Sequence, residues 1–575
     1  MAKMVSLTID GIEVKVAEGT SVLKAAKDIG IMIPTLCYLN GINSFGGCRV
    51  CVVDAGAKSL LASCTLPAAE GMVIKTNTKE VQEARRMNLE LILSNHDRSC
   101  LTCDRSGKCE LQDTAHQMNV DEIRFDGKDK KHKLDLTSPA MVRDPNKCIL
   151  CRRCVAACGR IQDVGVIGPT ERGFATIVEP PFKMSLGDVA CINCGQCLQA
   201  CPTGAITIVD DTKKVWDAIA DPAKHVVVQT APAVRAALGE EFGLPIGTCV
   251  TGKMATALKR LGFDRVFDTD FAADLTIMEE GTEFIGRLQN GGVLPMITSC
   301  SPGWIKYMEH NYHDFIPNMS SCKSPQQMMG AVIKNYYAEK NNIPRENIVS
   351  VSVMPCSAKK FEAGRPEFGD DVDVVITTQE LGRMIRMAGI DFENLPDSEF
   401  DPLLGDSTGA SVIFGVTGGV MEAALRTVYE VLTKETLEKI EFDDIRGMEG
   451  IKEATIKIND LDVKIAVAHG TGNASKLLDA IASGEKEYHF IEIMACPAGC
   501  INGGGQPIVD SEIKLKINVP MERAKALYSE DRGKVLRKSH ENPSVQQVYK
   551  EWLGEPGGHK SHEFLHTKYT KRELY

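Results

Sequence analysis

The sequence predicts a multidomain α/β protein with a cysteine-rich front and a larger layered body. Three observations carry that expectation. The chain has 575 residues, enough for about three to five domains. Fifteen of its 21 cysteines fall before residue 202. Beyond about Thr212, short β-branched runs alternate with amphipathic helical stretches, the pattern of parallel strands in α/β layers. With 43% apolar and 25% charged residues, the composition is that of a soluble globular protein. A net charge of −11 argues against nucleic acid as a partner. No run approaches the ~18–20 apolar residues of a membrane span. The N-terminus, Met1-Ala2-Lys3-Met4-Val5, runs straight into a strand-like pattern with no signal peptide, so a cytoplasmic location is expected. In such a chain cysteines read as metal ligands or catalytic groups rather than disulfides.

Residues 1–79 read as strand, turn, strand and helix. Val5-Ser6-Leu7-Thr8-Ile9 alternates, Asp10-Gly11 is a hairpin signal, and Val14-Lys15-Val16 returns. A helix opens at 21–26 with Thr20 or Ser21 as N-cap. Cys37, Cys48, Cys51 and Cys64 follow, separated by ten, two and twelve residues. Four thiolates on a small β-grasp-like domain suit a 2Fe–2S cluster, with Gly46-Gly47 letting the backbone wrap closely. A structural zinc site is the alternative, but zinc usually takes two short C-x2-C units and this segment has one. Residues 80–120 form the next unit, a helix over about 80–93 and then His96, Cys100, Cys103 and Cys109. Alone, His96 would read as a helix C-cap. Three cysteines starting four residues later make a set of one imidazole and three thiolates for a 4Fe–4S cubane, with zinc again the alternative. A neutral imidazole in place of a thiolate shifts the cluster's potential.

The span 138–210 holds the strongest motif. Cys148, Cys151, Cys154 and Cys158 form C-x2-C-x2-C-x3-C, and Cys191, Cys194, Cys197 and Cys201 repeat it before Pro202. In the two-cluster ferredoxin pattern the fourth cysteine of each run ligates the other cluster. That assigns Cys148, Cys151, Cys154 and Cys201 to one 4Fe–4S cubane, and Cys191, Cys194, Cys197 and Cys158 to another. Gly159 stands where proline is usual. Clusters in series make a wire carrying single electrons from a surface docking point to something buried in the body.

Over 211–519, buried strands are expected at 225–229, 294–297, 348–353 and 372–376, and helices at 254–261 and 326–339. No G-x-G-x-x-G opens a helix after a strand and no phosphate-loop motif occurs, so the chain has no nucleotide site of its own. Three cysteine segments follow strand-like runs: Thr298-Ser299-Cys300-Ser301-Pro302-Gly303-Trp304, Met354-Pro355-Cys356-Ser357-Ala358-Lys359-Lys360, and 494–507 with Cys496 and Cys500. Such cysteines can converge where ligand sites gather in α/β folds. Any one alone would read as a buried free cysteine; three flanked by Gly or Pro favour a site.

These segments, in this order behind the cluster motifs, resemble the group A iron–iron (FeFe) hydrogenases over essentially the whole length. The C-x3-C before Gly503-Gly504-Gly505-Gln506-Pro507 is highly specific. The resemblance implies an α/β catalytic body that reversibly reduces protons to H2. It implies an H-cluster, a 4Fe–4S cubane joined through one cysteine sulfur to a two-iron site carrying CO, CN⁻ and a dithiolate bridge. By position it makes Cys356, Cys496 and Cys500 cubane ligands, with Cys500 bridging to the two-iron site. Lys359 matches the lysine that binds a cyanide, an ammonium offering three donors. Pro232, Gln326, Met354 and Met494 fall on pocket positions. Ala233 stands where serine is common, removing one hydrogen bond to the other cyanide.

One departure matters. The family's first segment has two adjacent cysteines, the first relaying a proton and the second ligating the cubane. Here the pair is Cys300-Ser301. Aligned without a gap from Glu283, Cys300 takes the relay place and Ser301 the ligand place. Three arrangements stay open: Ser301 ligates through oxygen, a one-residue loop shift makes Cys300 the ligand, or Cys322 contributes. Iron–sulfur iron prefers thiolate, which favours Cys300, while shifting a loop costs strain. The family's proton route implies Cys300, Glu280, Ser320, Glu283 and Arg287. Independently, Glu280, Glu283 and Arg287 sit at i, i+3 and i+7 on one helix face, which alone would read as a solvated charged face.

Residues 520–575 carry His540, His562 and His566. Their wide spacing, with no cysteine alongside, reads as packing of a C-terminal helical wrap rather than metal binding. The family places its small-subunit-like segment here. The front is similar to the matching part of respiratory-type NADH dehydrogenases and NADP-reducing hydrogenases. The expectation is therefore the catalytic subunit of a multimer, with a separate flavin subunit reacting with NAD(P)H, a further Fe–S subunit, and ferredoxin as another electron carrier. An H2-sensing or Fe–S regulatory protein is the other reading. Ser301 favours it; the four-cluster front and the lack of a signalling domain oppose it.

Overall fold

The structure, a computed structural model, describes residues 3–127, 131–437, 439–459 and 461–574. Met1 and Ala2, part of the N-terminus read above, lie outside the described residues. Strands β1 (Met4–Ile9) and β2 (Ile12–Ala17) pair antiparallel. Asp10 and Gly11 between them have φ of 49° and 85°, as a primed hairpin turn requires. Ser21 caps helix α1 (Val22–Asp28), its hydroxyl accepting from the Lys24 N–H. Strand β3 (Val73–Ile74) joins β1 in parallel. Val22, Leu23, Ala25 and Ala26 of α1 pack on Val5, Leu7 and Ile9 of β1, completing a small grasp around the first cysteine loop. Helix α2 (Lys79–Ser94), capped by Thr78, and helix α3 (Glu110–Gln117) flank the His96 segment. Beyond them β4 (Met141–Arg143) and β5 (Ile206–Ile208) pair antiparallel and close the two cysteine runs between them.

The body is built from β6 (His225–Thr230), β7 (Arg265–Asp268), β8 (Met296–Ile297), β9 (Ile348–Met354), β10 (Val374–Thr377), β11 (Ile451–Ile458), β12 (Leu461–His469) and β13 (Phe490–Met494). One sheet has the order β7-β6-β9-β10 and is all parallel. The other has the order β8-β13-β12-β11, parallel except for the β11–β12 hairpin. Strands β6, β10 and β13 are almost wholly buried, as parallel strands covered on both faces must be. Two strands are shorter than their apolar runs. Strand β8 starts after Pro295, which has no N–H for a ladder, and β10 starts at Val374. Helices α4 (Thr269–Asn290), α5 (Pro302–Asn311) and α6 (Pro325–Val332) surround the sheets, and α7 (Val519–Gly533) opens the C-terminal segment. Tyr549, Trp552 and Leu565 of that segment pack on Phe271, Met328 and Val332. No described helix is long and apolar enough to cross a membrane.

Candidate functional site

Cys300, Cys356 and Cys496 each follow the carboxyl end of a strand, β8, β9 and β13 respectively. Two sheets therefore deliver three thiols to one place, where α/β folds put their ligands. Cys500, four residues after Cys496, lies close enough to Cys356 for their charges to interact. Burial pushes the Cys356 thiol up to about 11 and the Cys500 thiol up to about 12. Buried thiols with raised pKa values need a cation to become thiolates, the condition under which a metal cluster binds and releases protons. The loops are stacked so tightly that glycine is obligatory. A Cβ on Gly503 would collide with the Pro355 carbonyl oxygen, and one on Gly504 with that of Cys194. The donor set fits a cubane.

Cys300 and Ser301 face different ways. Cys300 packs with Met494 and Cys500 and lies within charge interaction of Glu280, Cys500 and Lys359. Ser301 is the N-cap residue of α5, yet its hydroxyl ignores the helix and accepts from the Ala495 N–H at 3.1 Å, beside Cys496. Thiolate preference favours Cys300 as cubane ligand; the backbone instead keeps Ser301 on the Cys496 side and Cys300 on the carboxylate side. The Cys322 thiol is buried 3.9 Å from Glu283, among Phe271, Met328 and Leu565. Lys359 is buried, and its Nζ donates to Ser324 Oγ and Glu362 Oε2, both at 2.8 Å, and to the Cys300 carbonyl at 3.3 Å. Gln326 joins the group through Glu362 Oε2 and through the Ser352 hydroxyl. Pro232 starts the short helix Pro232–Arg235, and the Ala233 carbonyl accepts from Gln506. Met354 and Met494 end β9 and β13, both buried.

Glu280, Glu283 and Arg287 share one face of α4. Arg287 Nη2 donates to Glu283 Oε1 at 2.6 Å, and the Ser320 hydroxyl donates to Glu283 Oε2 at 3.2 Å. The Glu280 carboxyl is buried and makes no hydrogen bond of good geometry among the described residues, though Ser320 lies close to it. Burial pushes Glu280 up to about 8. It is therefore protonated at neutral pH and gives up its proton as pH rises through that value. Proton delivery through Glu280 predicts a fall in H2 production on the alkaline side of about pH 8, and Glu280→Gln should abolish turnover rather than shift that fall. An unchanged alkaline limb in Glu280→Gln would remove Glu280 from the route.

Two features escaped sequence reading. Glu492 is fully buried in β13, accepts from the Gly418 and Met421 N–H groups at 2.6 and 2.7 Å, and lies within charge interaction of Cys300 and Cys500. Its signal was a lone acid inside Phe490-Ile491-Glu492-Ile493-Met494. The other is His566, whose neighbours include Glu283 and Cys322.

Comparison with known proteins decides what this centre belongs to. The signature of the iron only hydrogenase large subunit, C-terminal domain, matches residues 224–504, and that of the iron hydrogenase small subunit matches 518–572. The NADP-reducing hydrogenase subunit HndD of Solidesulfovibrio fructosivorans is 52% identical, with 99% of each chain covered. The chain belongs to the iron-only (FeFe) hydrogenases. Iron hydrogenase 1 of Clostridium pasteurianum is 41% identical over 99% of this chain and 100% of its own. The apo FeFe-hydrogenase HydA1 from Chlamydomonas reinhardtii superposes with a TM-score of 0.57 at 44% identity, over 64% of this chain and all of that one. In front of the catalytic domain, this hydrogenase matches a 2Fe-2S cluster binding domain at 2–79, the NADH-ubiquinone oxidoreductase-G iron-sulfur binding region at 85–124, and a 4Fe-4S dicluster domain at 147–205.

The front of this hydrogenase forks. Cys37 lies within hydrogen-bonding reach of Cys48 and Cys64, and Cys51 of Cys64, all four as free thiols, so four sulfurs gather in one place. One cavity is lined by Cys148, Cys151, Cys154 and Cys201, and a second by Cys158, Cys191, Cys194 and Cys197. Asn43 Nδ2 donates to the carbonyls of both Cys37 and Cys151, tying the first loop to the first cavity. The His96 segment reaches the same cavity from another side. Cys109 Sγ lies 3.7 Å from the Pro202 carbonyl, and a Cβ on Gly204 would meet Cys103 Sγ. Cys103 and Cys109 lie within charge interaction of each other. His96 Nδ1 is buried with no hydrogen-bond partner among the described residues, which fits a metal-ligand role. Both outer segments thus approach the Cys148 cavity. The second cavity leads on, with Cys496 Sγ 4.0 Å from the Cys194 carbonyl.

Proposed function

We propose that this hydrogenase carries five clusters over five segments and is the catalytic subunit of a cytoplasmic NAD(P)-linked complex. The observation that carries the reading is one buried point with Cys356, Cys496 and Cys500 around it, the Cys194 loop on one side and Cys300 with Glu280 on the other. Segments 1–79, 80–120 and 138–210 would hold one 2Fe–2S and three 4Fe–4S clusters, on the cysteines and His96 named above. Segment 211–519 would hold the H-cluster, and 520–575 wraps it. Cys356, Cys496 and Cys500 would hold the cubane, with Ser301 Oγ in the fourth place and Cys500 bridging to the two-iron site. Bound there, the H-cluster supplies the metal chemistry that makes and splits H2. The chain's own residues do the rest. Lys359, held by Ser324 and Glu362, presents an ammonium to an anionic iron ligand. Pro232, Ala233, Gln326, Met354 and Met494 shape a dry pocket. Cys300, Glu280, Ser320, Glu283 and Arg287 pass protons between that pocket and the surface.

The partner reading rests on the likeness to a protein named as an NADP-reducing hydrogenase subunit and on the lack of a nucleotide motif here. A flavin-containing subunit that takes NAD(P)H, a further Fe–S subunit and ferredoxin are the expected partners. Iron analysis of anaerobically purified, fully matured protein should give about 20 iron atoms, from the usual content of each cluster type. It should evolve H2 from reduced viologen, and from NAD(P)H only after the flavin subunit is added. Fewer than about 15 iron atoms, or zinc at the Cys37 or His96 site, would contradict the cluster assignment.

A further inference from the structure

The proposed route leaves one oxygen of Glu283 engaged elsewhere. Besides Ser320, Glu283 Oε2 accepts from the Ser321 N–H at 2.9 Å and the Ser321 hydroxyl at 3.1 Å. That hydroxyl is 2.8 Å from His566 Nδ1. On the other side of the ring, His566 Nε2 is 3.1 Å from Glu279 Oε2, and Glu279 is buried. Glu279 is held in turn by the Tyr549 hydroxyl and by the Gly557 N–H. Those contacts keep its carboxyl below the usual carboxylate range despite burial. The backbone fixes the imidazole as well. Thr567 N donates to the Ser321 carbonyl and Lys323 N to that of Leu565, so residues 565–567 lie as a short bridge along 321–323. Cys322 and the exposed His562, whose ring centroid is 4.1 Å from that of His566, complete the surroundings.

The sequence reading gave His566 a packing role only. Its side chain is 6% exposed, and both ring nitrogens meet groups that exchange protons. We propose that His566 stores a proton for Glu283, with Ser321 as the hydroxyl through which it moves. The imidazolium passes its Nδ1 proton to Ser321 Oγ while Ser321 passes its own hydroxyl proton to Glu283 Oε2. The neutral imidazole keeps its Nε2–H on the Glu279 carboxylate. In the reverse step Glu283 returns a proton along the same two bonds, and no other reactant is needed. Imidazole is the side chain that loads and unloads such a proton near neutrality. The C-terminal segment would then contribute to proton supply as well as to packing.

The inference rests on Glu283 belonging to the proton route, and the test separates the two. H2 evolution from reduced viologen is measured across pH for the matured full chain, for His566→Gln, and for Ser321→Ala, with iron content checked in each. His566→Gln should be about fivefold slower at about pH 6, less than the roughly 10²-fold of a group in the direct line. The loss should shrink as pH rises, because imidazole stores a proton only in its charged form. Ser321→Ala should reproduce that profile, and the double variant should be no slower than either single one. A loss that is equal at every pH, or none at all, would overturn the storage role. If His566→Gln fails to fold, Ser321→Ala decides alone. A second readout needs no turnover. In protein with its accessory clusters but no two-iron site, the protonated-carboxyl infrared band missing from Glu283→Gln should persist to higher pH in His566→Gln, because the imidazolium favours the ionised carboxylate. An unmoved band would overturn the inference. Parent-level turnover in Glu283→Gln would instead sink the route itself.

Discussion

Cys300→Ala should keep its full iron complement and lose about 10²–10⁴-fold of H2 turnover, the usual weight of a group that hands over a proton. Cys300 stands with Glu280 and Lys359, whereas Ser301 Oγ is bound to the Ala495 N–H beside Cys496. Removing the Cys300 thiol should therefore break proton delivery and spare the cubane. Ser301→Cys is the matching experiment. It should place a thiolate where softer iron prefers one, change the cubane's spectroscopic signature and retain turnover. If Cys300 were the ligand, Cys300→Ala would lose the cubane and the two-iron site, about six iron atoms in all. Iron counting on one variant separates the outcomes.

Glu283→Gln should lower turnover by a similar factor, about 10²–10⁴-fold, with the cluster spectra unchanged. Glutamine keeps the shape and one acceptor oxygen, enough to accept from Arg287 or from the Ser321 N–H but not both, and it carries no titratable proton. The side chain is largely buried, its ion pair with Arg287 at 2.6 Å leaving both partners about 15% exposed. The fold should tolerate the change, because glutamine fills the same volume and Arg287 keeps its bonds to the Val293, Asn318 and Met319 carbonyls. Electron input is untouched, so reduced viologen should still reduce the accessory clusters at the parent rate. A variant slow in both respects would point to a structural defect.

Much of the fold was legible because its constraints are local. Asp10-Gly11 permits a primed turn, and Pro295 stops a ladder from starting earlier. Apolar runs such as His225–Thr230 have to be covered on both faces. The cysteine motifs were legible for the same reason, since a cluster's ligands recur at short fixed spacings. What could not be read depends on contacts between distant residues. The fork in the front turns on Asn43 reaching Cys151, 108 positions away. His566 meets Ser321 across 245 positions, through a backbone bridge that no periodicity announces. Whether Cys300 or Ser301 faces the cubane side depends on where the Ala495 N–H points, not on thiolate chemistry alone.

The central claim is that the buried point among Cys300, Lys359 and Cys500 interconverts H2 and protons along a route through Glu283. Isotope exchange tests it without partner subunits or electron carriers. Matured protein under H2 in heavy water should release HD and then D2 catalytically, and Glu283→Gln should slow that exchange by about the factor expected for its turnover. Protein with its full iron content that releases no HD, or a Glu283→Gln variant that exchanges at the parent rate, would contradict the account.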